Sequence, residues 1–542
     1  MGGVLALCIG FGLFQSCGDN GSGPSMASAS QPPPALGTTP MLTYHNDNQR
    51  TGQNLNEVTL TTANVNSSSF GKLFVIAADG KVDAQPLYLP QVVIPNHGKH
   101  NVLYTASEHG TVYATDADTG SALWQISTLV SGETSSDNRG CGQIVPEIGV
   151  TATPVIDPKA GPHGTIYLIA MSKDGSGKYH QRLHALDVTT GGEEFGGPKE
   201  IEASYAGTGA NSSGGRVIFD AKQYKERPGL LLLNGVIYTT WSSHCDISPY
   251  TGWVMGYEQN TLAQVTVLNV TPNGGEGAFW MSDTAPAADA NGNIILLDAN
   301  GSFDTTLDAH GFPSRGDFGN AFLKLSTANR QLAVADYFEM YNQRQENGSD
   351  IDLGSGGALV LPDLTDSSGK VRHLAIGAGK DRNIYVVDRD AMGGFNPDAN
   401  HIYQEIQAQL ADKVFAMPAY FNSTIYYGAV DDTIKAFPLS SARLAGAPSS
   451  RTATTFKYPG ATPSISANGT GNAILWAAEN QSTAVLHAYD ATNLANELYN
   501  SNQASGGRDH FGKGNKFITP TVINGKVYVG TTSGVGVFGL LK

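Results

Sequence analysis

From residue 70 to residue 541 the chain is a succession of short apolar runs, each closed by small or polar residues, and the runs recur. One run appears at 102–107, 165–172, 236–243, 294–301, 373–380, 424–430, 473–479 and 526–532. A second follows each copy, at 112–120, 183–191, 254–262, 322–330, 384–392, 434–442, 486–494 and 535–541. A third element precedes each pair, marked at its start by Pro86, Pro154, Pro228, Pro286, Gly357, Pro418, Pro463 and Pro520. Seven intervals of about 62 residues separate the first of these marks from the last. Runs such as Val112-Tyr113-Ala114 read as strands with one or both faces buried. Asp116 then bonds turn backbone, Thr119-Gly120 reverses the chain, and a fourth, outer strand follows at 122–126.

Four antiparallel strands repeated radially describe a β-propeller, and eight repeats predict an all-β, eight-bladed one over residues 41–542. The last repeat stops after its third strand, and an unassigned apolar strand at 71–77 precedes the first. That strand is expected to complete the last blade and to remove an exposed edge.

Before residue 41 the pattern changes. Val4 to Phe14 is an apolar run of signal-peptide length, and Phe14-Gln15-Ser16-Cys17 follows it. Residues 1–17 read as a signal peptide of lipoprotein type with Cys17 as the lipidated residue, and plain secretion is the alternative. Residues 18–40 are rich in Gly, Ser, Ala and Pro and read as a tether. The expected location is the cell envelope, lipid-anchored, or the exterior. Export leaves Cys141 and Cys245 in the folded part; they pair or stay as two buried thiols, and spacing does not choose.

Composition narrows the function. The formal charge is -15, from 33 Lys+Arg against 48 Asp+Glu, which argues against a nucleic-acid partner. Gly is 65 of 542 residues, against a usual share of about 7%, as tight turns require. Several motifs dissolve on inspection. His180 and His184 sit on a strand, where about 3.3 Å per residue keeps them apart. Asp289-x-Asn291-x-Asn293 lacks the glycine and the closing Glu of a calcium loop, and 377–380 lacks the spacing of a phosphate loop.

The pattern A-x-D-x-x-T-G-x-x-x-W at 114–124, echoed at 185–191, resembles the repeats of pyrroloquinoline-quinone (PQQ) type propellers. That superfamily includes quinoprotein alcohol dehydrogenases and a propeller lipoprotein of outer-membrane assembly. The stretches 141–157, 243–257 and 349–363 look like a group of exported bacterial PQQ-like repeat proteins of unestablished activity. The dehydrogenase branch implies PQQ and calcium as cofactors. Its adjacent cysteine pair is absent here.

In such a fold one face collects two loops per blade, and the unusual polar segments fall in those loops. Glu147, Asp246, Asp350 and Asp352 suit a hard cation or acid–base work. His244 and His510 suit a base or metal ligand. Lys380, Arg382 and Arg508 suit an anion, including quinone carboxylates, and Trp280 a planar ring or a sugar. Each also has an ordinary structural role, as turn cap or inter-blade packing. The expected function is a monomeric envelope platform that binds a protein, glycan or small molecule. The alternative is a PQQ- and calcium-dependent dehydrogenase of an alcohol or sugar.

Overall fold

The computed structural model describes residues 38–542. The signal peptide, Cys17 and most of the tether lie outside the described residues. Among the described residues no helix is long and apolar enough to cross a membrane.

Eight sheets each hold four antiparallel strands, in chain order in all but the last. The first is Leu87–Ile94, Gly98–Ala106, Thr111–Asp116 and Ala122–Ser127. The repeat's apolar runs form the second and third strands of each sheet, as at Val236–Thr240 with Trp253–Glu258 and Leu374–Ala378 with Ile384–Asp388. Seven of the eight marks stand within one or two residues of the innermost strand they announce; Pro228 stands three before Leu231–Leu233. The strand Phe70–Ala77 pairs antiparallel with Gly534–Leu540 and supplies the fourth strand of the last sheet.

The middle strands are buried over most of their length, as at Val236–Thr240 and Leu374–Ala378, because each sheet packs a neighbour on both faces. One core cluster joins the eighth, first and second sheets. Others join the second to the third, the third to the fourth, and so on, until one joins the seventh to the eighth. The chain of contacts therefore returns to its start. Buried tyrosines tie neighbours together through backbone carbonyls: Tyr104 to Val188, Tyr426 to Ala491 and Tyr528 to Ala117. A buried hydroxyl needs such a partner. In the turn after Thr111–Asp116, Asp116 accepts from the amides of Asp118 and Thr119, and Gly120 takes φ 78°. Asp187 does the same for Thr189 and Thr190.

Residues 41–57 precede the first four-stranded sheet. This segment adds a short parallel strand, Gln53–Asn54, to the seventh sheet and bonds the innermost strand, or the residues leading into it, of every sheet. Met41 exchanges two bonds with Tyr88, Ile156 donates to Leu42, and Asn48 reaches Leu232. Ala288, Val360, Tyr420 and Ile465 donate to the carbonyls of Asn48, Gln49, Thr51 and Gly52. Asn54 completes the circuit at Val522. Gly52, at φ +71°, packs so close to the His45 ring that an added Cβ would lie 2.3 Å from it. Only glycine fits there.

Candidate functional site

Above this central segment the connections between sheets converge on a pocket with about 500 Å³ of empty space. Seven of these connections each give it at least one residue, from Gln143 between the first two sheets to Phe517 between the last two. Loops between second and third strands add Asp246, Asn300 and Lys380. Pockets of this size hold small molecules. A larger hollow of about 1150 Å³ lies beside Tyr179, open to solvent. None of its lining side chains carries a buried polar atom without a partner.

The pocket's floor is an ion pair. Arg227 Nε donates to Asp283 Oδ1 at 3.0 Å, both groups buried, and Nη1 reaches Gln143 at 3.3 Å. The guanidinium lies 5.6 Å from the Trp280 ring and 4.8 Å from that of Phe517. Lys225 Nζ lies 5.3 Å from the Trp280 ring. Burial, and the charge of Asp83, push Asp283 up to about 6 although Arg227 pulls the other way. Burial, and then the charge of Arg227, bring Lys516 down to about 8. Across the pocket Lys380 bridges Asp350 and Asp352, 2.5 Å from each. Burial opposes its charge, but the two carboxylates outweigh it and hold the ammonium above its ordinary range.

The structure brings five of the sequence candidates together here: Asp246, Trp280, Asp350, Asp352 and Lys380. The other five lie elsewhere. Glu147 is held by His109 at 3.0 Å and by Ser135. His244 is buried beneath the surface, its Nε2 3.3 Å from the Tyr224 carbonyl; burial lowers it to about 3 and keeps the ring neutral. Arg382 is exposed. Arg508 forks onto Asp509 and reaches the Phe70 carbonyl, so it clasps the strand that completes the last sheet. His510 is exposed, and its carbonyl accepts from Lys72. Sequence reasoning missed Arg227, Asp283 and Phe517. The available signal was position: each lies in a connection that leads into an innermost strand.

Polar atoms in and around the pocket are incompletely satisfied. Arg227 Nη2, Asn300 Oδ1 and Asp352 Oδ2 are buried without a hydrogen-bond partner. Such atoms are costly unless something arrives to meet them. Among the described residues no group of three or more His, Cys, Asp or Glu side chains is placed to hold a metal ion. Lys380 offsets part of the charge of the acidic pair. Cys141 and Cys245 form a disulfide beside the pocket, which settles the two readings left open for them.

This is the fold of the PQQ-like β-propellers. The quinohemoprotein alcohol dehydrogenase of Comamonas testosteroni superposes with TM-score 0.58 at 14% identity, over 93% of this chain and 81% of that one. The Pseudomonas putida HK5 enzyme ADHIIG gives 0.59 at 13%, over 92% and 80%, and a europium-containing methanol dehydrogenase 0.56 at 12%, over 92% and 98%. At these identities the likeness carries the fold alone. No family model and no curated protein matches the sequence.

Proposed function

We propose that the eight sheets are the blades of one closed eight-bladed propeller, and that it works as a binding protein for a small, planar, anionic molecule in the axial pocket. The observation that carries this reading is the unpartnered Nη2 of buried Arg227, whose guanidinium lies 5.6 Å from the Trp280 ring. Arg227 presents a free N–H edge to a carboxylate or carbonyl, a geometry that guanidinium serves well. Trp280 offers one wall for a planar ring. The segment 41–57 closes the pocket from below, so a ligand enters and leaves through one face.

A second reading keeps the same pocket and makes the ligand PQQ. Part of the lining suits a quinone: a flat wall at Trp280 and the free N–H edge of Arg227 for a carboxylate, while Lys380 is already committed to Asp350 and Asp352. PQQ supplies a two-electron acceptor when bound. The chain itself would orient the ring, exclude water from below, and hold a proton on Asp283, whose affinity for one is raised to about 6. The residues present do not form a calcium cage, so no calcium step is derived.

We further propose that the protein is exported to the bacterial envelope and anchored through Cys17, a reading that an oxidised Cys141–Cys245 pair suits. Palmitate labelling that vanishes in Cys17→Ser tests the anchor. For the pocket, the full chain is titrated with PQQ, with and without calcium, and then given alcohols and sugars with an electron-accepting dye. Saturable binding that is lost in Trp280→Ala supports the pocket, and turnover adds the dehydrogenase reading. No binding at high micromolar PQQ overturns the quinone reading, and a panel of aromatic carboxylates then tests the broader one.

A further inference from the structure

The two ends of the Cys141–Cys245 disulfide live in different surroundings. Cys141 is 2% exposed, and the Nζ of Lys225 lies 4.0 Å from its Sγ. Lys225 is 1% exposed and forms no ion pair with a carboxylate among the described residues. Burial and the neighbouring charge of Arg227 disfavour its ammonium as things stand. Cys245, by contrast, opens the exposed stretch 245–249. The sulfur–sulfur bond therefore runs from a solvent-facing residue to a buried one, and the buried one sits against a lysine that lacks an anion.

The bond also has a place in the pocket wall. Gln143, two residues after Cys141, and Asp246, directly after Cys245, both line the pocket. Gln143 accepts from Arg227 Nη1, and Asp246 from the Tyr250 hydroxyl. The disulfide staples two loops that are 104 residues apart in sequence and that each carry part of the wall.

We propose that Cys141–Cys245 is an exchangeable disulfide: a small external thiolate attacks Cys245 Sγ, Cys141 leaves as a thiolate beside Lys225, and the pocket wall loosens. In the first step the attacking sulfur bonds to Cys245 and the old bond's electron pair stays on Cys141. The attacking thiol has lost its proton to solvent, and the Lys225 ammonium pairs with the new thiolate. A second small thiol displaces the first from Cys245, giving an external disulfide and two protein thiols; two thiols are oxidised and one disulfide is reduced. Exchange of this kind is fastest at the accessible sulfur and when the leaving thiolate is stabilised. Pairing with Lys225 stabilises the reduced form, which makes the bond easier to open than a structural disulfide.

The test uses the full native chain and reduced glutathione, and no pocket ligand enters it, so it stands or falls apart from the binding reading. After brief exposure the free thiols are alkylated and the peptides weighed. The expected product carries glutathione on Cys245 and the alkyl group on Cys141. Lys225→Met should open about tenfold more slowly, and Lys225→Arg should recover most of the rate. Amide exchange over 139–149 and 243–252 should rise at least about tenfold on opening, with the strands unchanged. Glutathione on Cys141, or a disulfide that resists until the protein unfolds in denaturant, overturns the proposal. So does an unchanged rate in Lys225→Met. Should that variant not fold, the position of glutathione on the unsubstituted chain decides.

Discussion

Two regions on the same axis bury the same kinds of groups and treat them oppositely. In the central segment Arg50 is fully buried and satisfied by the chain. Its guanidinium donates to Thr43 Oγ1 and to the carbonyls of Tyr44, Asp47, Pro286 and Leu230. Both nitrogens of buried His45 meet carbonyls, those of Arg50 and Pro463. Burial brings Arg50 down to about 10, still charged at neutral pH. In the pocket Arg227 keeps Nη2 without a partner, and Asp352 and Asn300 each keep an oxygen. The first region is a ligand that the chain carries covalently, bound by eight sheets at once. The second is lined by the connections between sheets and contains none of residues 41–57. A buried polar group that stays unmatched in a well-satisfied interior marks where something else is meant to bind.

Substitutions sharpen or break this contrast. The largest effect is expected at Arg50. Arg50→Leu strands several carbonyls and unties the segment from the third and fourth sheets, and should cost about 3–5 kcal/mol. Arg227→Leu combined with Asp283→Asn removes a pair whose charges are only partly met, and should cost about 1 kcal/mol or less. Guanidinium unfolding of both variants reads the difference, and equal costs would end the comparison.

The next effect is on pH dependence. The Asp283 carboxyl has its folded value raised from 3.8 to about 6. The folded state therefore binds more protons than the unfolded one across that interval, and stability falls as pH rises from about 4 to 6 and is flat above. At about 1.4 kcal/mol per unit the loss is about 3 kcal/mol. Asp283→Asn should remove that slope, read as the difference between the two unfolding midpoints at pH 4 and pH 7.

Smaller changes follow. Trp280→Ala should weaken binding of PQQ, used as the probe, by about tenfold or more, with unfolding shifted far less than in Arg50→Leu. Glu147→Gln breaks only a half-exposed contact with His109 and one with Ser135, and should stay within about 0.5 kcal/mol with the pocket unaffected.

The sequence was most legible where a local pattern repeats. The runs around Val102, Thr165 and Lys526 carry their own strand signature, and Phe70–Ala77 stood out as a strand without a partner. The site was half legible. Asp350, Asp352 and Lys380 drew attention because they fall in the polar loops expected on one face, and they meet. Arg508 drew attention for the same reason and turned out to clasp the closing strand. Glu147 and His510 share the loop type of the pocket residues but point away from it. Loop type fixes a face of the ring; it does not fix distance from the axis.

Short apolar runs and recurrent turn chemistry are local properties, so the sequence by itself determined the repeated strands and their order. The tertiary structure alone decided what occupies the axis. Residues 41–57 have no regular pattern, because their partners are the carbonyls and amides of eight different sheets rather than their own neighbours in sequence. The pocket is equally non-local: Arg227, Trp280 and Phe517 come from three connections between sheets and Lys380 from a loop within one, and they acquire a common environment only in the folded chain.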